Sequence, residues 1–358
     1  MAALAMSTSR LRALCALGLA LTPVLLLAAG AGSGASTAAT TATSPRARVY
    51  TPYFETWSGD HIYRVARRSG AHHFTLAFIE TPRRGSCNPA WNGDKRRPTS
   101  AGGYLNGIRA LRRLGGNVIP SFGGFSADHA LTEIADSCTD MGKLVAAYES
   151  VVRTYGVTRL DMDVEDRSLS HLKGIDRRNR ALRLVERWAA RTGRRLRIAY
   201  TLPVEPAGLE SDGLHVIRNA IRNGTRVDVV NIMVFDYYDG TTTDMAAAAE
   251  SAARGLHRQL HALYPGRSAR RLWAMEGLTL MPGIDDYPQK TEVTSLADAA
   301  AVRQFAASVG IGTLSIWAIQ RDNGGCPGQL GSDTCSGIVQ PEWAFSQLLE
   351  PFTRRGRR

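Results

Sequence analysis

The chain has 358 residues, of which 44% are hydrophobic, enough for a sizeable core in one large or two small domains. Its 44 Lys and Arg against 32 Asp and Glu give a net charge of +12. Half of that excess sits in Arg10, Arg12 and the tail residues Arg354, Arg355, Arg357 and Arg358, leaving +6 on the body. With no motif of that class present, the charge does not argue for a nucleic-acid partner.

Taken in chain order, residues 1–31 read as a secretory signal peptide. Arg10 and Arg12 precede an apolar run from Ala13 to Ala29, and Ala29-Gly30-Ala31 offers a small-residue cleavage pattern. An uncleaved anchor is the alternative, because the run is nearly long enough to span a membrane. The expectation is a secreted, extracellular protein with no stable membrane association once the segment is removed. Residues 32–46 form an Ala/Ser/Thr-rich, low-complexity linker expected to be disordered. No second linker interrupts 47–353, which is read as a single domain, and 354–358 form a basic tail.

Within that domain, short apolar strands alternate with longer amphipathic helices. Strands are predicted at Val49–Tyr53, Phe74–Glu80, Asn117–Phe122, Leu160–Glu165, Arg197–Leu202, Val227–Phe235, Leu272–Met275 and Thr313–Trp317. Helices are predicted at Met141–Tyr155, with Gly156 as its stop, and over Arg177–Arg191 and Ser295–Val309. Eight strands in about 300 residues of this alternation predict an α/β fold, a (β/α)₈ TIM barrel. A doubly wound open sheet fits the strand count and length less well.

One stretch, TRLDMDVE at 158–165, stands out chemically. Asp161, Asp163 and Glu165 sit at i, i+2 and i+4, with Leu160, Met162 and Val164 between them. Strand geometry sends alternate side chains to opposite faces, so the three acids share one face. Such a row is costly to bury, and it suits a site with one proton donor and neighbours that tune it. In a barrel that face is the interior, with Glu165 nearest the C-terminal mouth, where active sites of this fold lie.

Other strand ends meet at the same mouth. Ser121-Phe122-Gly123-Gly124 closes the third, and Met233-Val234-Phe235-Asp236-Tyr237 closes the sixth. Trp317 ends the eighth and could floor a sugar subsite. Tyr53, Trp57 and Trp91 are either further aromatic subsites or loop anchors. Cys15 falls inside the signal, leaving four cysteines. Cys326 and Cys335, close together in a Gly-rich loop, are expected to pair, and Cys87 with Cys138 by elimination. Zinc is the alternative, but the spacings match no structural zinc pattern. The adjacent His72 and His73 would face opposite sides of a strand. No metal or cofactor is expected.

SFGG at 121–124 followed by TRLDMDVE at 158–165 resembles glycoside hydrolase family 18, the chitinase family, whose signatures are S-x-G-G and D-x-x-D-x-D-x-E. TLAFI (75–79), TLPV (201–204), VDVVNIM (227–233), LSIWAIQRDNGGC (314–326) and CSGI (335–338) look closest to its bacterial chitinase D-like branch. The resemblance implies a TIM barrel and retaining, substrate-assisted hydrolysis of chitin or other N-acetylglucosamine-containing glycans. It implies Glu165 as general acid, Asp163 as holder of the acetamido group and Asp161 as the residue that tunes Asp163. Tyr237, Asp236, Met233, Trp317, Ser121, Gly123 and Tyr53 are the substrate-binding candidates, in a monomeric protein.

Several positions depart from the family pattern. Thr158 replaces the first Asp of the signature and is expected deepest in the barrel. Phe235 stands where Tyr is common, with Tyr237 as the replacement hydroxyl. Asp166 replaces a common Gly. Glu276, read at the end of the seventh strand, would alter a sugar subsite if it faced inward. Two other functions share the fold: a carbohydrate-binding lectin without turnover, and an endo-β-N-acetylglucosaminidase acting on N-glycans.

Overall fold

The computed structural model describes residues 48–286, 291–330 and 332–353, all within one unit, Pro45–Arg358. The signal peptide, the linker and the basic tail lie outside the described residues.

The strands are β1 (Val49–Tyr50), β2 (Tyr53–Glu55), β3 (His73–Glu80), β4 (Ala90–Trp91), β5 (Asn117–Gly123), β6 (Arg159–Asp163), β7 (Arg197–Pro203), β8 (Val229–Met233), β9 (Glu276–Leu280), β10 (Gly283–Ile284), β11 (Val293–Thr294) and β12 (Thr313–Ile316). The main sheet runs β1-β12-β9-β8-β7-β6-β5-β3-β2, parallel throughout. Only Thr51 and Pro52 separate β1 from β2, so both ends of the sheet are one passage of chain. On one side Thr51 N–H donates to Leu314 O (2.8 Å); on the other Thr75 N–H donates to Pro52 O (3.0 Å). The sheet therefore closes on itself as an eight-stranded barrel, and Pro52, which has no N–H to donate, marks the break in the closing strand. β4 adds antiparallel to β3, and β10–β11 form a separate hairpin.

The helical ring follows local chemistry. Met141–Tyr155 starts where the Asp140 side chain accepts Lys143 N–H (3.0 Å) and stops at Gly156, whose φ of 58° is left-handed. Its face of Leu144, Tyr148, Val151, Val152 and Tyr155 is buried, as its periodicity requires. Leu296–Val309 begins with a capping box between Ser295 and Asp298. The helix expected at Arg177–Arg191 starts earlier, spanning Leu172–Arg191. Among the described residues, no helix is long and apolar enough to cross a membrane. Both expected disulfides are present, Cys87–Cys138 and Cys326–Cys335.

Three expectations change. The seventh strand is not Leu272–Met275 but β9. Leu272 lies in a short helix, Ala269–Trp273, and is fully buried there. A four-residue apolar run carries no periodicity to separate helix from strand, while Gly277 weakens the true strand's signal. Glu276 consequently opens its strand rather than ending it. It is buried against the outer ring, where it accepts from or donates to His257 Nδ1 (2.9 Å) on helix Met245–Leu263, far from the mouth. Thr158 is solvent-exposed just before β6 rather than deep in the barrel, so the missing first Asp leaves the interior untouched.

Candidate active site

At the C-terminal ends of the strands a cleft of about 490 Å³ opens. Its floor is aromatic. The Phe78 and Trp317 rings stack at 5.4 Å and 17°, Tyr53 meets Trp317 edge-on at 5.6 Å, and Trp57 stacks on Phe78 at 6.3 Å. Such faces suit the C–H surfaces of a sugar ring. Trp91 is absent from the floor. It is buried behind the wall, its indole N–H donating to Tyr155 OH (2.8 Å).

β6 delivers the acids. Ser121 pairs in register with Asp161, and Gly123 with Asp163. A Cβ on Gly123, whose φ is 103°, would lie 2.0 Å from the Asp163 carbonyl oxygen; a Cβ on Gly124, whose φ is 86°, would lie 2.5 Å from the Phe78 ring. Only glycine lets β5 end this close to both, which is the physical content of the SFGG motif. Asp161 lies beneath the cleft and accepts from Ser121 Oγ (2.7 Å), Thr201 Oγ1 (2.9 Å) and Tyr53 OH (3.0 Å). Asp163 lines the cleft, and its Oδ1 is buried with no hydrogen-bond partner.

These environments separate the two aspartates. Burial raises Asp161, but three donors oppose the rise. Burial, followed by the charges of Glu165, Asp161 and Asp128, pushes Asp163 well above the carboxylate range with no donor in opposition. Neighbouring carboxylates resist double ionisation, so Asp161 keeps the charge and Asp163 the proton. Glu165 lies two residues past the strand, on the cleft wall. Burial raises it to about 7; a hydrogen bond from Phe125 N–H lowers it and the charge of Asp166 raises it.

The end of β8 rearranges the remaining candidates. Met233, Phe235 and Asp236 line the cleft, as do Tyr53, Gly123 and Trp317. Burial and the charges of Asp285, Asp286, Glu292 and Glu165 push Asp236 up to about 8. Tyr237 does not reach the cleft: it is 3% exposed, its N–H donates to Glu292 Oε2 (3.0 Å), and its hydroxyl is buried without a partner. Tyr238, 61% exposed, is the tyrosine that lines it. Positive φ at Asp236 (50°) and Tyr238 (56°) breaks the strand alternation that would have carried Tyr237 to the mouth. Ser121 is likewise fully buried, holding Asp161 rather than facing the cleft. Phe78 and Phe125 also line the cleft, although strand-end reasoning passed over them. Among the described residues, no group of three or more His, Cys, Asp or Glu is placed to hold a metal.

Comparison with known proteins points one way. The model of the family described as glycosyl hydrolases family 18 matches residues 49–278. A probable bifunctional chitinase/lysozyme of Escherichia coli (strain K12) is 33% identical over 321 residues, covering 86% of this chain and 35% of that protein. Endochitinase 11 of Metarhizium anisopliae is 32% identical over 286 residues, 76% of this chain and 52% of that one. The chain thus spans only about a third to a half of the length of these relatives. Among solved structures, active domain 2 of a chitinase from Pyrococcus furiosus superposes with a TM-score of 0.73 at 31% identity, covering 86% of this chain and 97% of that domain. A structure of the same domain complexed with chito-oligosaccharides matches equally well.

Proposed function

The chain belongs to glycosyl hydrolase family 18, and from that premise we propose that it hydrolyses β-1,4-linked N-acetylglucosamine polymers with retention, by substrate-assisted catalysis. The observation that carries this reading is the division of labour on β6. A carboxyl raised to about 7 stands on the wall of an aromatic-floored cleft, beside a buried aspartate whose free oxygen has no protein partner. Most glycosidases use two carboxylates, one of them as nucleophile or base, and family 18 is an exception. Here the sugar's own 2-acetamido oxygen attacks C1 as the glycosidic C–O bond breaks and the Glu165 proton passes to the leaving oxygen. Asp163 accepts the acetamido N–H on its free oxygen, and the single negative charge of the Asp161–Asp163 pair offsets the positive charge of the oxazolinium ion. Water then adds to C1, returning a proton to Glu165. Asp161, fixed by Ser121, Thr201 and Tyr53, supplies the negative charge that lets Asp163 play this part.

We also place the protein outside the cell. The apolar N-terminal run and two disulfides support an oxidising compartment.

The experiment is hydrolysis of chitohexaose beside its fully deacetylated counterpart. Cleavage of the first with the β-anomer as initial product, and none of the second, is expected, because only the acetylated sugar carries the nucleophile. Cleavage of both at similar rates would end the substrate-assisted reading. Binding of chitohexaose without turnover would make the protein a lectin, and preference for N-glycans an endo-β-N-acetylglucosaminidase.

The pH profile gives an independent check. Glu165 must enter the reaction protonated, so kcat/KM should fall about tenfold per pH unit above about 7. Because the Asp166 charge raises Glu165, Asp166→Asn should move that limb to lower pH. A limb unmoved by the substitution would disconnect it from Glu165.

A further inference from the structure

The geometry points to Asp128 as a positioning residue for Glu165, an inference that rests on Glu165 being the acid. The need arises where β6 ends. Val164 N–H makes the last bond on the β7 side, to Thr201 O (3.0 Å). In a parallel ladder the next N–H, that of Glu165, faces the opposite neighbour, β5. By that level β5 has turned at Gly123-Gly124 into the helix Phe125–Ala130, so the strand offers no carbonyl. Asp128, on that helix, fills the gap: its Oδ2 accepts Glu165 N–H at 2.6 Å. The same helix also acts on the side chain, since Phe125 N–H lowers the pKa of the Glu165 carboxyl. One short segment therefore holds the main chain of the acid and bears on the proton affinity of its side chain.

Asp128 is otherwise a costly residue for its place. It is 0% exposed, its Oδ1 has no hydrogen-bond partner, and it lies among Glu133, Arg178 and Glu165. Burial drives its carboxyl well above the ordinary range. An apolar residue would fill the space without that cost, but it would leave Glu165 N–H unanswered and the acid's backbone unheld. What the position requires is an acceptor, not a charge. Asn meets that requirement; Ala and Val do not.

The test uses the full chain with Asp128→Ala, Asp128→Val and Asp128→Asn. Loosening the acid by a fraction of an ångström to about 1 Å is expected to lower kcat on chitohexaose about 100-fold in the Ala and Val variants, with KM within about 3-fold of wild type. Asp128→Asn should stay within about 5-fold of wild type in both. A second readout needs no turnover: the Glu165 carboxyl signal in protein labelled with ¹³C at Glu, assigned by its loss in Glu165→Gln. Its midpoint should leave the region of 7 in the Ala and Val variants and stay there in Asn. An Asn variant as impaired as Ala, or Ala and Val variants that change neither kcat nor the midpoint, would overturn the proposal. A fall in kcat accompanied by a proportionate rise in KM would also overturn it, reducing Asp128 to a structural residue. If the wild type does not cleave chitohexaose, the proposed reaction fails and the titration still decides the role of Asp128.

Discussion

Glu165→Gln is expected to lower kcat on chitohexaose by about 10³-fold while leaving oligosaccharide affinity nearly unchanged. Glutamine matches the shape of the acid and keeps an oxygen to accept Phe125 N–H; the main-chain bond to Asp128 is untouched. The aromatic floor that would bind the sugars lies apart from the substitution, so Trp57 and Trp317 fluorescence should still report binding. What is lost is the proton, and with it the basic limb of the pH profile near 7. The cleft contains a rival acid. Asp236 lines it and is pushed up to about 8, so it is protonated at neutral pH and close enough to Glu165 for their charges to interact. If Glu165→Gln retains full hydrolysis while Asp236→Asn abolishes it, the acid has been misassigned. Asp163→Asn should be the gentler change, because the amide still occupies the space and keeps an oxygen for the acetamido N–H, although it cannot share the charge of Asp161.

The second large effect is on stability. Arg178→Ala is expected to lower the unfolding free energy by about 3–5 kcal/mol, measured by urea denaturation at pH 7. Arg178 is 0% exposed on helix Leu172–Arg191, and its Nη2 lies 2.9 Å from Glu133 Oε2 and 4.0 Å from Asp136 Oδ2. Glu133 also caps its own helix, accepting the N–H groups of Ala135 (2.8 Å) and Asp136 (3.1 Å). Asp136 binds Ser168 Oγ and lies 2.8 Å from His171 Nδ1. Removing the guanidinium leaves two buried carboxylates facing each other. Burial already holds Glu133 above its ordinary value despite Arg178, and loss of the cation pushes it higher. A carboxyl raised in the folded state gives its stability below the unfolded value and loses it as pH rises through the folded one. The deficit of Arg178→Ala should therefore be largest above neutrality and shrink towards pH 5. Adding Glu133→Gln to it should recover part of the loss at pH 7. A deficit independent of pH and unrelieved by the second substitution would mean that lost packing, not the uncompensated carboxylates, governs the site. Since Ser168 belongs to the helix that follows Glu165, the same network ties the acid's segment to the barrel wall.

How much was legible beforehand depended on range. The helix at Met141–Tyr155 was readable to the residue because cap, periodicity and terminal glycine all lie within its own 15 residues and their neighbours. The seventh strand was misplaced because LWAM is as apolar as a strand and too short to show a period. Tyr237 and Tyr238 could not be told apart by alternation, because alternation ends where φ turns positive at Asp236. Asp128 left no signal at all. It lies 37 residues before Glu165, outside every motif, and acts only because β5 bends away at the level where Glu165 needs an acceptor.

By itself the sequence determined that Asp161, Asp163 and Glu165 would share a face, that two glycines would let a neighbouring strand end against them, and that strands and helices would alternate eight times. These follow from the twofold period of extended backbone and from the absence of Cβ, both local properties. Only the tertiary structure decided that residues 49–55 close the barrel from both sides, that Thr158 lies outside it, that Glu276 faces the helical ring, and that Asp128 grips the acid. Those outcomes depend on which backbone groups remain unpaired once distant segments meet, and no local pattern records that.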